Sequence, residues 1–74
     1  MAVKLNVIVE KDADGYYAYC PELPGCQTQG DNFEETMASI REAAELYLET
    51  LSKKELRGLT RKQVMTTDME VAVA

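Results

Sequence analysis

The chain of 74 residues has no histidine, no tryptophan and one phenylalanine. Without histidine, the two thiolates of Cys20 and Cys26 are half of a zinc site with nothing to complete it. Because large aromatic rings are scarce, aliphatic side chains must fill a thin core, and a domain near this size is often marginal without additional stabilisation. We therefore expect the chain to self-associate.

Long apolar runs are also missing. No stretch of about 18 apolar residues is present to span a bilayer, and the first residues alternate in polarity instead of forming the apolar block of a signal peptide. These features predict a cytoplasmic protein without membrane contact. In that compartment a disulfide is not expected, so Cys20 and Cys26 should be buried or half-buried free thiols.

Length and composition favour one globular domain over residues 1–74. A chain this short cannot divide its buried surface between two cores. Its 46% hydrophobic and 28% charged residues are close to the globular average, which argues against extensive disorder.

Charge is unevenly distributed. Residues 1–50 hold 10 acidic and 3 basic side chains, which gives −7, whereas residues 51–63 hold 5 basic and 1 acidic side chain, which gives +4. An acidic body disfavours nucleic-acid binding and suits a basic partner, although surface charge also serves solubility. The basic segment from Lys53 to Lys62 is either a solvated helix end and loop or a phosphate contact.

The first half of the chain has the pattern of three strands. Residues 3–10 alternate in polarity, and Ile8 breaks the polar face, which suggests a central strand or one covered at an interface. The Asp14–Gly15 pair ends a turn-forming segment and predicts a hairpin, with Tyr16–Cys20 as the returning strand. Pro21–Gly25 predicts a rigid connection to a short third strand, Cys26–Gln29.

A long amphipathic helix is predicted next. Asn32 is a good N-cap with Glu35 three residues on, as in a capping box. Lys53 and Lys54 then suit the negative end of the helix, and Gly58 is a plausible turn. The helix spans Phe33–Leu51, and its apolar stripe consists of Phe33, Met37, Ile40, Ala44, Tyr47, Leu48 and Leu51.

Residues 65–73 again alternate, which predicts a fourth strand. The order β-β-β-α-β indicates an α+β fold of two layers, with one helix packed on a small mixed sheet. In that topology the last strand joins the sheet edge beside the first strand and runs parallel to it.

Four short motifs carry a family resemblance: Asp-Gly-Tyr-Tyr, Pro-x-Leu-Pro-Gly-Cys, Gln-Gly-Asp and Arg-Glu-Ala. Residues 10–51, which contain them, resemble the N-terminal domain of HicB-like antitoxins. The resemblance implies a partial RNase H-like fold, in agreement with the strand order. The motif positions are Asp14, Gly15, Tyr16, Tyr17, Pro21, Leu23, Pro24, Gly25, Cys26, Gly30, Asp31, Glu42 and Ala43.

The resemblance also implies a partner. HicB-like antitoxins usually bind a small HicA-like toxin that cleaves mRNA, and many carry a C-terminal DNA-binding domain. After Leu51 only 23 of the 74 residues remain, and the last ten or so are needed for the predicted strand. We therefore expect a single HicB-like domain with no separate DNA-binding domain and no direct DNA binding.

Catalysis and metal binding are not predicted. Glu10, Asp12 and Asp14 all lie at one hairpin, whereas RNase H-like hydrolysis needs carboxylates converging on metal ions. Glu10, Asp12, Asp14 and Gly15 also match part of an EF-hand register, but Pro21 occupies the place of the final glutamate, so a turn is favoured. We expect no enzymatic activity and no cofactor.

Three clustered tyrosines leave alternatives open. Tyr17 and Tyr19 share one strand face and Tyr16 has the other, so at least one ring should be exposed. Such rings suit protein contact, core packing or base stacking, and no basic groove accompanies them to favour nucleic acid.

Together these features predict an antitoxin-like protein that neutralises a HicA-like toxin by covering its active site with a complementary acidic surface. The alternative is a stand-alone oligomeric adaptor without a toxin. A homodimer or tetramer should form through an open sheet edge or the Ile8 face. The candidate partner contacts are Asp12, Asp14, Tyr17, Glu34 and Glu42.

Overall fold

A computed structural model describes residues 2–59 and 62–74 of the chain. Strands β1 (Ile8–Asp12), β2 (Gly15–Tyr19) and β3 (Gln27–Gly30) form an antiparallel sheet in the order β1-β2-β3. Helix α1 (Phe33–Glu49) packs on β2 and β3, and a short helix α2 (Lys53–Gly58) follows. The predicted α+β class, with a helix packed on a small sheet, is confirmed.

The β1–β2 hairpin turns at the predicted site. The backbone N–H of Asp14 donates to Oδ1 of Asp12 at 2.9 Å, which closes the turn through a side chain. Gly15, paired with Asp12 in the ladder, has φ of +133°, a conformation that other residues rarely adopt. The Asp-Gly pair therefore predicted the hairpin correctly.

The connection between β2 and β3 is held by its own backbone. The N–H of Cys20 donates to the carbonyl of Cys26 at 3.1 Å, and Leu23 bonds with both cysteines, donating to Cys20 and accepting from Cys26. Gly25 has φ of +83°, and the Leu23 side chain is buried. The proline-rich segment thus forms an ordered connection whose central leucine enters the core.

Helix α1 begins as predicted. Asn32 is its N-cap, and Oδ1 of Asn32 accepts from the N–H of Glu35 at 2.7 Å. The helix ends at Glu49, two residues before the predicted end, with Thr50 as its C-cap. A side-chain cap therefore fixes the start of the helix.

The core lies between α1 and the inner face of the sheet. Of the predicted stripe, Ile40 and Ala44 are buried, but Phe33 is 48% exposed. Thr36 is fully buried instead, and its hydroxyl donates to the carbonyl of Asn32 at 2.7 Å. The buried apolar residues are Ala18, Cys20, Leu23, Cys26, Ile40 and Ala44.

The lysines after α1 begin a second helix. Ser52 caps α2: its Oγ accepts from the N–H of Glu55 at 3.1 Å, and Oε1 of Glu55 accepts from the N–H of Ser52 at 3.0 Å. The hydrogen bond from the Ser52 backbone lowers the pKa of Glu55. The prediction that Lys53 and Lys54 complement the end of α1 was therefore wrong, because the capping box starts a new helix there. Gly58 is the last residue of α2.

The N-terminal segment is only partly a strand. Its ladder starts at Ile8, although the half-buried side chains of Val3, Leu5 and Val7 keep the predicted alternation. Glu22, itself largely buried, holds this segment: its carboxylate accepts from the backbone N–H of Asn6 at 3.0 and 3.2 Å and from Asn6 Nδ2 at 2.6 Å. A buried carboxylate thus anchors the segment beside the sheet.

The predicted fourth strand is not formed. Residues 62–74 contain no strand, and the sheet of the described chain is antiparallel rather than mixed. Met65, Met69, Val71 and Val73 are 86%, 83%, 71% and 94% exposed. The alternation makes the segment suitable for a strand, but a strand also needs an edge with which to pair, and within the described ranges this segment lies along none. The RNase H-like likeness stays a prediction from the resemblance.

Candidate functional site

One end of the molecule carries a depression lined by carboxylates, here called the acidic depression. Glu10, Asp12 and Asp14 come from the β1–β2 hairpin, Asp31 precedes the N-cap of α1, and Glu35 lies in the first turn of α1. Tyr16, Tyr17, Gln29 and two glycines complete its lining, which contains no lysine or arginine. Its lining therefore favours cationic over anionic groups.

Two closely packed glycine residues bring the carboxylates of the hairpin close to Asp31 and Glu35. Tyr16 pairs with Gly30, which places the hairpin beside the end of β3. A Cβ atom added at Gly15 would lie 3.0 Å from the Gly30 carbonyl oxygen, and one at Gly30 would collide with Thr36. The absence of side chains at both positions lets the hairpin, β3 and α1 approach closely.

Two tyrosines form the neighbouring part of the outer sheet face. The rings of Tyr17 and Tyr19 lie 5.7 Å apart at 40°, and the Tyr17 hydroxyl donates to Oε1 of Gln27 at 2.8 Å. Tyr16 lies on the opposite face, where Nζ of Lys11 is 5.5 Å from the ring centroid. All three rings are half-buried. Tyr17 and Tyr19 are called the aromatic patch here. Tyr17 therefore belongs to both the aromatic patch and the lining of the acidic depression.

Of the predicted partner contacts, the structure brings three together. Asp12, Asp14 and Tyr17 line the acidic depression, whereas Glu34 and Glu42 are exposed on α1 and do not line it. The prediction did not include Glu10, Asp31 and Glu35 as partner contacts. Asp31 was in the family motif and Glu10 in the hairpin, but only the packing of α1 on the hairpin shows that all these carboxylates share one site.

The remaining motif residues lie in the connection after β2 and on α1. Pro21, Leu23, Pro24, Gly25 and Cys26 form the ordered connection after β2, and Ala43 is half-buried on α1. Of these residues, Leu23 and Cys26 belong to the buried core.

The cysteines are buried free thiols, as predicted. Burial, together with the nearby Cys26 thiol, raises the pKa of Cys20 to about 11. The reactive thiolate form of Cys20 is therefore even scarcer at neutral pH than for an ordinary thiol, which makes Cys20 a poor nucleophile.

No group of three or more carboxylates and thiols among residues 2–59 and 62–74 is arranged to hold a metal ion. The segment that matched part of an EF-hand register is the hairpin turn, flanked by strands. The turn interpretation was therefore correct.

In the described part of the chain, the basic segment is divided between α2 and the residues that follow it. Lys53, Lys54 and Arg57 belong to α2, Lys62 donates to the Pro21 carbonyl at 3.4 Å, and Arg61 lies outside the described residues. Its role in phosphate contact stays an open prediction. No helix within the described ranges is long and apolar enough to cross a membrane.

Comparison with known proteins identifies the family. Residues 5–70 match the family described as HicB-like antitoxin of bacterial toxin-antitoxin system. The chain is 43% identical over 70 residues to a UPF0150 protein of Helicobacter pylori, covering 95% of this chain and 97% of the relative. It is 38% identical over 68 residues to a UPF0150 protein of Synechocystis, covering 90% and 94%. A UPF0150 protein of Archaeoglobus fulgidus is 50% identical over 48 residues, covering 64% and 70%.

No solved structure matches the chain significantly. The family match nevertheless covers most of the sequence and includes every motif from the hairpin to α1. The chain therefore belongs to the HicB-like antitoxin family of bacterial toxin-antitoxin systems.

Proposed function

We propose that the protein neutralises a small, basic, HicA-like mRNA-cleaving toxin by covering its active site. The observation that carries the proposal is the convergence of five carboxylates from the hairpin and α1 around one depression whose lining contains no basic side chain. A protein that binds and cleaves RNA needs cationic groups for phosphate, and these groups are the natural complement of such a surface.

Tyr17 and Tyr19 supply the apolar part of the proposed interface. Aromatic residues are enriched among the side chains that contribute most to binding, because they bury much area and lose little rotamer entropy. Tyr17 belongs to both the acidic depression and the aromatic patch. We therefore propose that the toxin contacts both, with the carboxylates guiding association and the tyrosines slowing dissociation.

A matched pair of charge-reversal variants tests the surface. Asp14→Lys with Asp31→Lys alters the acidic depression at two exposed residues whose side chains make no hydrogen bond in the described structure. Glu34→Lys with Glu42→Lys makes the same change in charge on α1. We expect the first pair to weaken toxin affinity by about a hundredfold or more, with most of the salt dependence lost, and the second by less than about fivefold.

The measurement is calorimetric titration of the purified chain with the toxin from the adjacent gene, at two salt concentrations. A parallel assay follows how the chain inhibits RNA cleavage by that toxin. If the α1 pair weakens binding and the depression pair does not, the toxin docks on α1 and the proposed surface is wrong. If no small basic protein from the neighbouring gene binds, the stand-alone oligomeric adaptor is the better function.

We further propose that the chain is not an enzyme and that residues 1–74 act as one domain without direct DNA binding. Because messenger RNA is translated in the cytoplasm, we propose that antitoxin and toxin meet there. Incubation of the chain with RNA and Mg²⁺ or Mn²⁺ should leave the RNA intact, and a gel-shift assay with its own promoter should show no complex. Degradation or a shifted band would contradict the respective statement.

A further inference from the structure

The C-terminal segment, residues 62–74, alternates in polarity as a strand does but pairs with no strand among the described residues. Met65, Met69, Val71 and Val73 occupy odd positions and are 71–94% exposed, whereas even positions hold Thr66, Asp68 and Glu70. Exposed apolar side chains on one side of a segment are a marker of an interaction surface. The segment also extends the molecule: its radius of gyration is 14.6 Å, against about 11 Å for a compact chain of this length.

A free sheet edge is present at the opposite terminus. Strand β1 is at the edge of the sheet and pairs only with β2 in the described chain. The hairpin loop has two residues, so Asp12 and Gly15 form a hydrogen-bonded pair of the ladder. The even-numbered residues of β1 therefore direct their backbone N–H and C=O groups towards β2. The N–H of Asn6, which donates to Glu22, follows the same rule. Odd-numbered residues from 3 to 11 therefore present N–H and C=O groups along the open edge.

An apolar groove borders this edge. Val3, Leu5 and Val7 form one wall, and Met37, Ile40 and Leu48 of α1 form the other. Cys20 and Ala44 also contribute to its lining, and Arg41 and Glu45 stand at its rim. A strand added to the edge would place alternate side chains in this groove, as in β-augmentation.

The C-terminal segment matches this edge in pattern and charge. Both segments alternate with period two, so the odd residues of an added strand would face the groove together with Val3, Leu5 and Val7. Its even residues Asp68 and Glu70 would then lie on the same face as Lys4. Carboxylates facing an ammonium group across neighbouring strands stabilise the pairing.

The path of the chain favours a second copy as the source of the added strand. Residues 62–65 line a cleft with Lys4, Asn6 and Glu22, and alternation puts Lys4 and Asn6 on the sheet face opposite the groove. To reach its own groove, the segment would have to turn over the sheet edge. Residues 64–74 contain no glycine or proline, which are the residues that most favour a tight turn.

We propose that two copies of the chain exchange their C-terminal segments, so that residues 65–73 of each pair as an edge strand with residues 3–9 of the other and cover its apolar groove. The exchange closes the open edge of both sheets and buries the exposed methionines and valines. It is independent of the proposed toxin contact, because the acidic depression and the groove share no lining residue.

Adjacent lysine substitutions provide the test. Val71→Lys places a charge in the groove, whereas Ala72→Lys places the same charge on the outward face. Both positions are exposed in the single chain, so neither change disturbs its core, and circular dichroism checks the fold. In light scattering after gel filtration, we expect the unmodified chain and Ala72→Lys to have twice the 8.3 kDa mass of one chain. Val71→Lys should raise the dimer dissociation constant about tenfold or more.

Mixed isotope labelling identifies the partner of the segment. In a dimer prepared from labelled and unlabelled chains, we expect intermolecular NOEs between the methyl groups of Val71 or Met69 and those of Leu5 or Val7. A monomeric chain, a dimer that Val71→Lys leaves intact, or contacts found only within one chain would each overturn the proposal.

Discussion

Removing the Glu22 carboxylate should release the N-terminal segment from the sheet. Glu22 is 8% exposed and accepts hydrogen bonds from the backbone N–H and from Nδ2 of Asn6. Hydrogen bonds to a charged group contribute about 1.5–3 kcal/mol each, and loss of the carboxylate leaves two donors without this acceptor. Because Asn6 is exposed and water can replace part of the loss, we expect Glu22→Ala to lower the free energy of unfolding by about 2–3 kcal/mol.

A double-mutant cycle assigns this loss to the contact. Asn6→Ala removes only the Nδ2 donor, and the backbone N–H still reaches Glu22, so it should cost about 1 kcal/mol. In the Glu22→Ala background the same change should cost almost nothing, which gives a coupling energy of about 1 kcal/mol. Glu22→Gln keeps one acceptor oxygen and should give an intermediate loss.

The measurement is urea unfolding followed by circular dichroism, with all variants at one chain concentration so that any self-association affects them equally. Unchanged m-values would show that the variants unfold from states of similar compactness. A loss below about 0.5 kcal/mol for Glu22→Ala, or additive effects of the two single changes, would refute the reasoning, because Glu22 would then be a solvated side chain rather than an anchor.

Other expected outcomes concern the core, the helix packing and the buried thiol. Ile40→Ala should lower the free energy of unfolding by about 2–4 kcal/mol in urea titrations, whereas Leu46→Ala, 60% exposed on the same helix, should cost less than about 1 kcal/mol. Gly30→Ala should destabilise the protein because the added methyl group collides with Thr36, and equal stability would contradict the close packing. Burial raises the pKa of Cys20 to about 11 from 9.0, so its contribution to stability is present below pH 9 and is lost as pH rises towards 11. Peptide mapping after iodoacetamide treatment at pH 8 should show Cys20 modified about a hundredfold more slowly in the native protein than in urea, and equal rates would contradict the burial of the thiol.

Local signals in the sequence predicted most of the fold. The Asp14–Gly15 pair predicted the hairpin because a glycine tolerates the positive φ that the turn needs. Asn32 predicted the start of α1 because its side chain replaces a missing backbone acceptor. Both signals act within a few residues, so no knowledge of distant contacts was required.

Predictions failed where the structure depended on contacts between residues far apart in the chain, or on competition between two local signals. Lys53 and Lys54 suited the end of α1, but Ser52 and Glu55 together formed a capping box and began α2. Residues 65–73 alternate as a strand does, but in the described part of the chain they pair with no strand. Periodicity describes how a segment alternates, whereas pairing depends on which backbone lies next to it.

The same distinction between local sequence signals and long-range packing applies to the candidate site. Sequence alone determined the acidic character of the first 50 residues, the exposed hairpin and the family motif, because composition and turn chemistry are local properties. Only the tertiary structure decided that Glu10, Asp12 and Asp14 meet Asp31 and Glu35 while the acidic residues further along α1 remain apart. The physical reason is packing: two glycines permit the close approach of hairpin, strand and helix, and that approach brings together carboxylates that are up to 25 residues apart in the chain.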